Sequence, residues 1–129
     1  MSQQNAIKAA HEVMRAHIEA LNNRDEAGVA STLHFPHQRL ADTGLQTWTT
    51  SDSYFADFRN RAGPDWARSA FTEIKVLQAG NTKVHLDAEI TRYDQSGRII
   101  TRFRSLWIIT REGGHWAAKF RSTFAPEQA

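Results

Sequence analysis

The sequence predicts an α+β fold, with helices in the first half of the chain and strands in the second. Apolar residues recur at helical spacing through the first third, and they alternate with polar residues through the last half. Turns that contain glycine separate the alternating segments, as expected of hairpins. Because helices and strands are segregated along the chain, the pattern favours the α+β class over alternating α/β.

Length and composition limit the classes of protein that this chain can be. Its 129 residues suit one domain, and 40% hydrophobic with 23% charged residues is typical of globular proteins. Cysteine is absent, which excludes disulfides, thiolate metal sites and a cysteine nucleophile. No apolar run approaches the roughly 18 residues of a membrane span. The N-terminus lacks the features of a signal peptide, so we expect a cytoplasmic location.

Charge also bears on the partners of this protein. The formal net charge is +2, from 16 basic and 14 acidic side chains. Proteins that bind nucleic acid usually concentrate Lys and Arg in one patch or helix. Here the basic residues are spread along the chain, and many alternate with carboxylates. We therefore expect neither nucleic acid nor a membrane as a partner.

The first helix is predicted over residues 4–22, where apolar side chains recur on one stripe. His17 falls inside this stripe, one turn from Met14 and from Leu21. Asp25 is suited to cap a second, shorter helix, because its side chain can accept a hydrogen bond from the first turn.

A small hairpin and a third helix follow. Residues 34–42 predict a strand, and residues 45–49 return as its partner after a tight turn. Either Thr50 or Ser51 caps the third helix. Gly63-Pro64 ends this helix, whose aromatic residues are Tyr54, Phe55 and Phe58.

The rest of the chain predicts four long strands, over residues 67–77, 83–93, 98–111 and 115–124. Because these strands are long for a small domain, we expect the sheet to be strongly bent.

Two-residue loops at the last two turns set a predicted register. Glu89 would then face Arg102, and Trp107 would face Phe120. Hydrophobic side chains, those of Trp107 and Phe120 included, would share one face that the helices must cover. Charged side chains, that of Arg121 included, would share the other face. A one-residue bulge would change these pairs.

The order of these elements is similar to that of a known superfamily. Three segments share this similarity, namely ALNNRDEAGVASTLHFP, YDQSGRIITRFRSLWIITREGG and HWAAKFRSTF. The chain resembles the nuclear transport factor 2-like superfamily, and within it the small bacterial SnoaL-like and ketosteroid-isomerase-like proteins. The resemblance spans nearly the whole chain, as one domain over residues 1–129. It implies a cone-shaped barrel, in which a strongly curved mixed or antiparallel sheet wraps around a long N-terminal helix with two shorter helices. It also implies a pocket at the open end and a homodimer packed through the sheets.

The resemblance suggests roles for two residues. His17 occupies the helical place where ketosteroid isomerases have a tyrosine that bonds the substrate oxygen, so it would act as a hydrogen-bond donor or acid. The alternative is a core histidine. Asp42 lies within one residue of the carboxylate base of those isomerases, although an aspartate before a glycine is also ordinary turn chemistry. The third isomerase element, a protonated acid on a late strand, is missing, because Ser105 and Trp107 stand near that place.

Two further groups are candidates for a catalytic or a metal site. An epoxide-hydrolase centre needs the residue types found in Asp87, Glu89, Arg102 and Arg104. The predicted register places them on the charged face, which favours a structural ion-pair ladder. His34 and His37 are three apart on a strand and point to opposite faces, so we expect no metal site.

The aromatic residues at the open end predict an apolar pocket for a small cyclic ligand. The candidate ligand-binding residues are His37, Tyr54, Phe58, Ser105, Trp107 and Phe120. We expect a small-molecule pocket protein that, if it is an enzyme, performs isomerase-, cyclase- or hydrolase-like acid–base chemistry without a cofactor. The competing interpretation is a module without catalysis, either a ligand binder or a dimeric interaction module whose pocket is filled core.

Overall fold

A mixed sheet packs against one long helix in the computed structural model, which describes residues 2–125. The helices are α1 (Gln3–Asn22), α2 (Glu26–Ser31) and α3 (Ser51–Ala62). The strands are β1 (Leu33–Ala41), β2 (Gly44–Trp48), β3 (Arg68–Ala79), β4 (Lys83–Tyr93), β5 (Ile99–Glu112) and β6 (His115–Thr123). The six strands lie in the order β2-β1-β6-β5-β4-β3, with β1 and β6 parallel and the other neighbours antiparallel. This arrangement confirms the α+β class, with a mixed sheet, a long N-terminal helix and two shorter helices.

Local capping explains where the two short helices begin. The Asp25 carboxylate accepts a hydrogen bond from the backbone N–H of Gly28 at 3.0 Å, at the start of α2. The Thr50 hydroxyl accepts one from the backbone N–H of Ser53 at 3.2 Å, at the start of α3. Each bond satisfies a donor that the first turn of a helix leaves unpaired, so both predicted caps are confirmed.

The core lies between α1 and the inner face of the sheet. Ala6 and Ala10 are fully buried on α1, and their small side chains allow the helix to approach the strands closely. On β4 every second residue points inward, as Val84, Leu86 and Ala88 do with no exposed surface.

The predicted register between β4 and β5 is wrong, although the predicted faces are right. Glu89 lies opposite Arg104 instead of Arg102, a shift of two residues. The cause is a longer turn, in which the backbone N–H of Asp94 bonds to the carbonyl of Arg98 at 2.9 Å, with a register shift between Arg92 and Tyr93. Because side chains alternate with a period of two, this shift leaves each one on its predicted face.

The predicted register between β5 and β6 is also wrong, and this error changes which side chains of β6 face the interior. Ile109 pairs with Ala118 as predicted, but a bulge then places Ile108 opposite Phe120 and Trp107 opposite Arg121. A slip of one residue sends each following side chain of β6 to the other face. Arg121 is therefore buried inside, whereas Phe120 faces outward.

Candidate functional site

A cavity lies between α1, α3 and the inner face of the sheet. His17 and Leu21 contribute from α1, Tyr54 and Phe58 from α3, and Trp107 from β5. Counting its mouth, the space without atoms is about 430 Å³, but only about 30 Å³ is open to the centre of a water molecule. Since one water needs roughly 10–15 Å³ by that measure, the free space is narrow and holds about two or three waters.

Four arginine side chains line this cavity, namely Arg39 of β1, Arg61 of α3, Arg92 of β4 and Arg121 of β6. Their exposed fractions are 2%, 6%, 5% and 8% in that order. Arginine is rarely buried unless it is paired with a carboxylate. The Nε of Arg61 has such a partner, an oxygen of Asp57 at 2.9 Å. Between residues 2 and 125 no carboxylate forms an ion pair with Arg92 or Arg121.

Aromatic rings take the place of carboxylates around these cations. The guanidinium of Arg121 lies 5.3 Å from the ring centre of Tyr54 and 5.0 Å from that of Trp107. The guanidinium of Arg92 lies 4.8 Å from the ring centre of Phe103. Such cation–π contacts stabilise a buried charge through the ring face, but they leave the N–H groups without acceptors.

Several buried donors around the cavity have no hydrogen-bond partner in the described part of the chain. They are Arg61 Nη2, Arg92 Nε, Arg121 Nε, Arg121 Nη2, the Tyr54 hydroxyl and Trp107 Nε1. Native proteins leave few buried polar groups unpaired, and a group of them in one place calls for an explanation. All of them can donate, so the cavity is short of acceptors.

The charges around the cavity also favour an acceptor, because they are positive. Burial, and then the positive charges of neighbouring arginines, lower the pKa of Arg92 to about 10. Burial lowers the pKa of Arg121 to about 10 as well, with Tyr54 acting in the opposite direction. Both groups are still cationic at neutral pH. The cavity is therefore positively charged and favours negative charge inside it.

His17 is held in one tautomer by its neighbours. The Thr32 hydroxyl donates its only proton to the carbonyl of Val29 at 2.7 Å, so His17 Nδ1, 2.8 Å from that hydroxyl oxygen, must be the donor to it. Burial first, and then the charges of Arg121 and Arg61, lower the pKa of His17 to about 3. The ring is thus neutral at physiological pH, with a lone pair on Nε2. Its single N–H is already used in this tautomer, so the Nε2 atom of His17 can offer a ligand an acceptor.

The structure brings some of the predicted site residues together and leaves others apart. His17, Tyr54, Phe58, Ser105 and Trp107 all line the cavity. Phe120 does not line it, because the bulge turns that side chain outward. Asp42 is exposed in the turn between β1 and β2, away from the lining. His37 is buried behind Tyr54, with its Nδ1 3.2 Å from the carbonyl oxygen of Ala118. The catalytic roles of His17 and Asp42 stay predictions.

The sequence analysis missed the arginines, although a signal existed for two of them. Arg92 has the same parity on β4 as the buried Ile90, and Arg61 follows Phe58 by one helical turn. The inward position of Arg121 depends on the bulge, which no local pattern marks.

Two further features of residues 2–125 concern metal sites and membrane spans. No group of three or more His, Asp or Glu side chains in that range is placed to hold a metal ion. Within the same residues, no helix is both long enough and apolar enough to cross a membrane.

Similarity to known proteins is confined to structure. The sequence matches no family model and no curated protein. A protein of unknown function from Pseudomonas putida, described as NTF2-like, superposes with a TM-score of 0.72 at 12% identity, covering 98% of this chain and 90% of that one. A protein of unknown function from Nostoc punctiforme, with a cystatin-like fold, gives 0.71 at 11% identity, covering 92% and 89%.

A ketosteroid isomerase-like protein from Erwinia carotovora gives a TM-score of 0.65 at 17% identity, covering 91% of this chain and 93% of the other. At such low identities the comparison establishes the architecture and leaves the activity open. The protein therefore has the cone-like nuclear transport factor 2-like fold, which is also described as cystatin-like.

Proposed function

We propose that this protein binds a small cyclic or aromatic molecule in the cavity between α1, α3 and the sheet. The observation that carries this proposal is the group of buried donors around the cavity that lack partners among residues 2–125. Each unpaired buried donor costs about 1–3 kcal/mol. A core that served only to fill space would be more stable with apolar side chains in these positions, so their presence favours a ligand that completes them.

The walls of the cavity favour a ring in that ligand. Phe58, Phe71, Phe103 and Trp107 contribute flat apolar surfaces to the lining. Ligand sites typically combine such walls with a few polar groups that fix orientation. Aromatic side chains also pack well against other rings in offset or edge-to-face geometry.

A second candidate function is acid–base catalysis in the same cavity, and the tautomer of His17 favours it. Its Nε2 lone pair can accept a proton, and the neighbouring arginines would stabilise negative charge that develops on a substrate oxygen. In the free protein the charges of Arg121 and Arg61 help to lower the pKa of His17. An anion bound beside them would offset that effect and make the ring a stronger base. The likeness to a ketosteroid isomerase-like protein suits such chemistry.

Binding without catalysis is the competing function, and the narrowness of the cavity favours it. A module of this kind, whether monomer or the expected homodimer, would hold a ligand or a partner and release it unchanged. Proton exchange at the bound ligand separates the two, because only a base in the cavity would accelerate it.

The test is a thermal-shift screen of wild type and Ser105→Met with small ring compounds, both neutral and anionic. Ser105 is buried beside the cavity and bonds to Thr123 at 2.6 Å, so a methionine would fill the free space. We expect at least one compound to raise the wild-type Tm by mass action, and Ser105→Met to abolish that rise. Ser122→Met, on the outward-facing side of β6, is the matched control. If no compound raises the Tm of the wild type, or if the Tm of Ser105→Met rises equally, the proposal fails.

A further inference from the structure

We propose that the ligand of this cavity carries a carboxylate, held by Arg61, Arg92 and Arg121. This inference rests on the proposed small-molecule function, and it names the chemical class that the cavity selects. The three arginines are called the inner cluster below.

The hydrogen-bond inventory of the inner cluster calls for an acceptor with several lone pairs. Four of its N–H-bearing nitrogens lack partners among the described residues: Arg61 Nη2, Arg92 Nε, Arg121 Nε and Arg121 Nη2. A carboxylate offers two oxygens and about four lone-pair sites, and it matches the planar fork of a guanidinium. A neutral carbonyl or hydroxyl would satisfy fewer of these donors.

The charge of the inner cluster also favours a carboxylate as the bound group. Among residues 2–125, Arg61 alone of the inner cluster has a carboxylate beside it, that of Asp57, and the side chain of Asp57 is about one-third exposed. Arg92 and Arg121 rest on aromatic rings, and the charge of Arg121 helps to lower the pKa of Arg92. A single negative charge between them would turn this repulsion into attraction in a region where water screens little.

The size of the cavity allows a carboxylate to enter. The part open to a water centre is only about 30 Å³, room for about two or three waters, which accommodates the two oxygens of a carboxylate. The aromatic walls then leave the apolar end of the ligand for a ring. The ring itself needs the space at the mouth, which brings the volume without atoms to about 430 Å³, and benzoate is the simplest probe of this ligand class.

The first experiment compares ligands of one shape by calorimetry on the wild-type protein. Benzoate and benzamide differ in charge but hardly in size. We expect benzoate to bind at least tenfold more tightly than benzamide, and more tightly than benzenesulfonate or phenyl phosphate. Equal binding of benzamide would overturn this inference and leave the proposed function intact. Tighter binding of the tetrahedral anions would overturn the carboxylate assignment. If no ring compound binds at all, the proposed function itself fails.

The second experiment separates a ligand-binding arginine from a structural one. Arg121→Met keeps much of the side-chain volume and removes the unpaired charge. We expect it to lose at least tenfold in benzoate affinity while its Tm rises, because a buried unpaired charge destabilises the free protein. Arg92→Met should show the same loss of benzoate affinity and the same rise in Tm. It keeps the test valid if Arg121→Met does not fold. Arg102→Met, on the outward-facing side of β5, should change neither quantity. A lower Tm with unchanged benzoate binding in both inner variants would contradict the inference.

Discussion

The two faces of the sheet use arginine in opposite ways. On the outer face Arg104 bonds to Asp87 at 2.8 Å and to Glu73 at 2.9 Å, with Glu89 at 3.7 Å. We call this group the outer ladder. On the inner face the arginines of the inner cluster rest on aromatic rings and keep unpaired donors. An arginine whose hydrogen bonds are satisfied within the protein stabilises the fold, whereas the unpaired donors of the inner cluster are available to the proposed ligand.

The pKa shifts show the same contrast. Hydrogen bonds that Arg104 donates to Asp87, and next to Glu73, raise its pKa above the usual value. Burial lowers the pKa of Arg92 and of Arg121 to about 10. The outer charge is thus stabilised by its surroundings, whereas the inner charges are destabilised and would gain most from an anion.

The largest effect is expected when the inner cluster is given its own carboxylate. Arg92→Glu would place a negative charge beside Arg121, whose charge already acts on Arg92. The new side chain would neutralise the site and repel an incoming anion, so benzoate affinity should fall by about 100-fold, or roughly 2.7 kcal/mol. Calorimetry measures this directly. The control is Arg102→Glu on the outer face, and an equal loss there would show that only the overall charge matters.

Acid should act next most strongly, through the buried histidine. The pKa of His17 is about 3 in the folded protein, against roughly 6.5 when unfolded. The unfolded chain therefore takes up a proton first as the pH falls, so the stability from the neutral ring is complete above pH 6.5 and is lost below it. Between pH 6.5 and 5 the loss is about 2 kcal/mol.

Urea unfolding across this pH range measures that loss. His17→Gln should weaken the pH dependence without abolishing it, because burial also holds the pKa of His37 well below its usual value. His11→Gln, exposed on the same helix, should leave the dependence unchanged. A wild-type stability that stays constant from pH 6.5 to 5 would mean that His17 is not buried in its neutral form.

The smallest effect is expected from the outer ladder. Arg104→Met removes an exposed ion-pair group, and such groups contribute little to stability because water and salt screen them. We expect a small decrease in Tm that disappears at high salt, with benzoate binding unchanged. Loss of benzoate binding in this variant would mean that the two faces are coupled and that the contrast between them is false.

The sequence predicted the fold well because the fold follows from local signals. Helical and alternating periodicity located the helices and strands of residues 2–125, and Asp25 and Thr50 marked two helix starts through their capping side chains. Strand register depends instead on bulges that tertiary packing decides. One such bulge, next to Ile109, moved Arg121 from the expected outer face to the interior.

The candidate site was only partly predictable for the same reason. His17, Tyr54 and Trp107 were identified because apolar and aromatic patterns indicate burial. The arginines were not, since arginine is almost never buried without a partner and is assigned to the surface by default. Their departure from that rule is what marks the site.

The most direct test of the anion site observes the arginine Nε–H groups by NMR during a benzoate titration. Arg92 Nε and Arg121 Nε have no partner within the described residues, whereas Arg104 Nε already bonds to Asp87 at 3.2 Å. We predict that benzoate shifts the Arg92 and Arg121 signals downfield in a saturable way and leaves the Arg104 signal in place. Unchanged inner signals, or an equal shift of the Arg104 signal, would contradict the assignment of the inner cluster as the binding site.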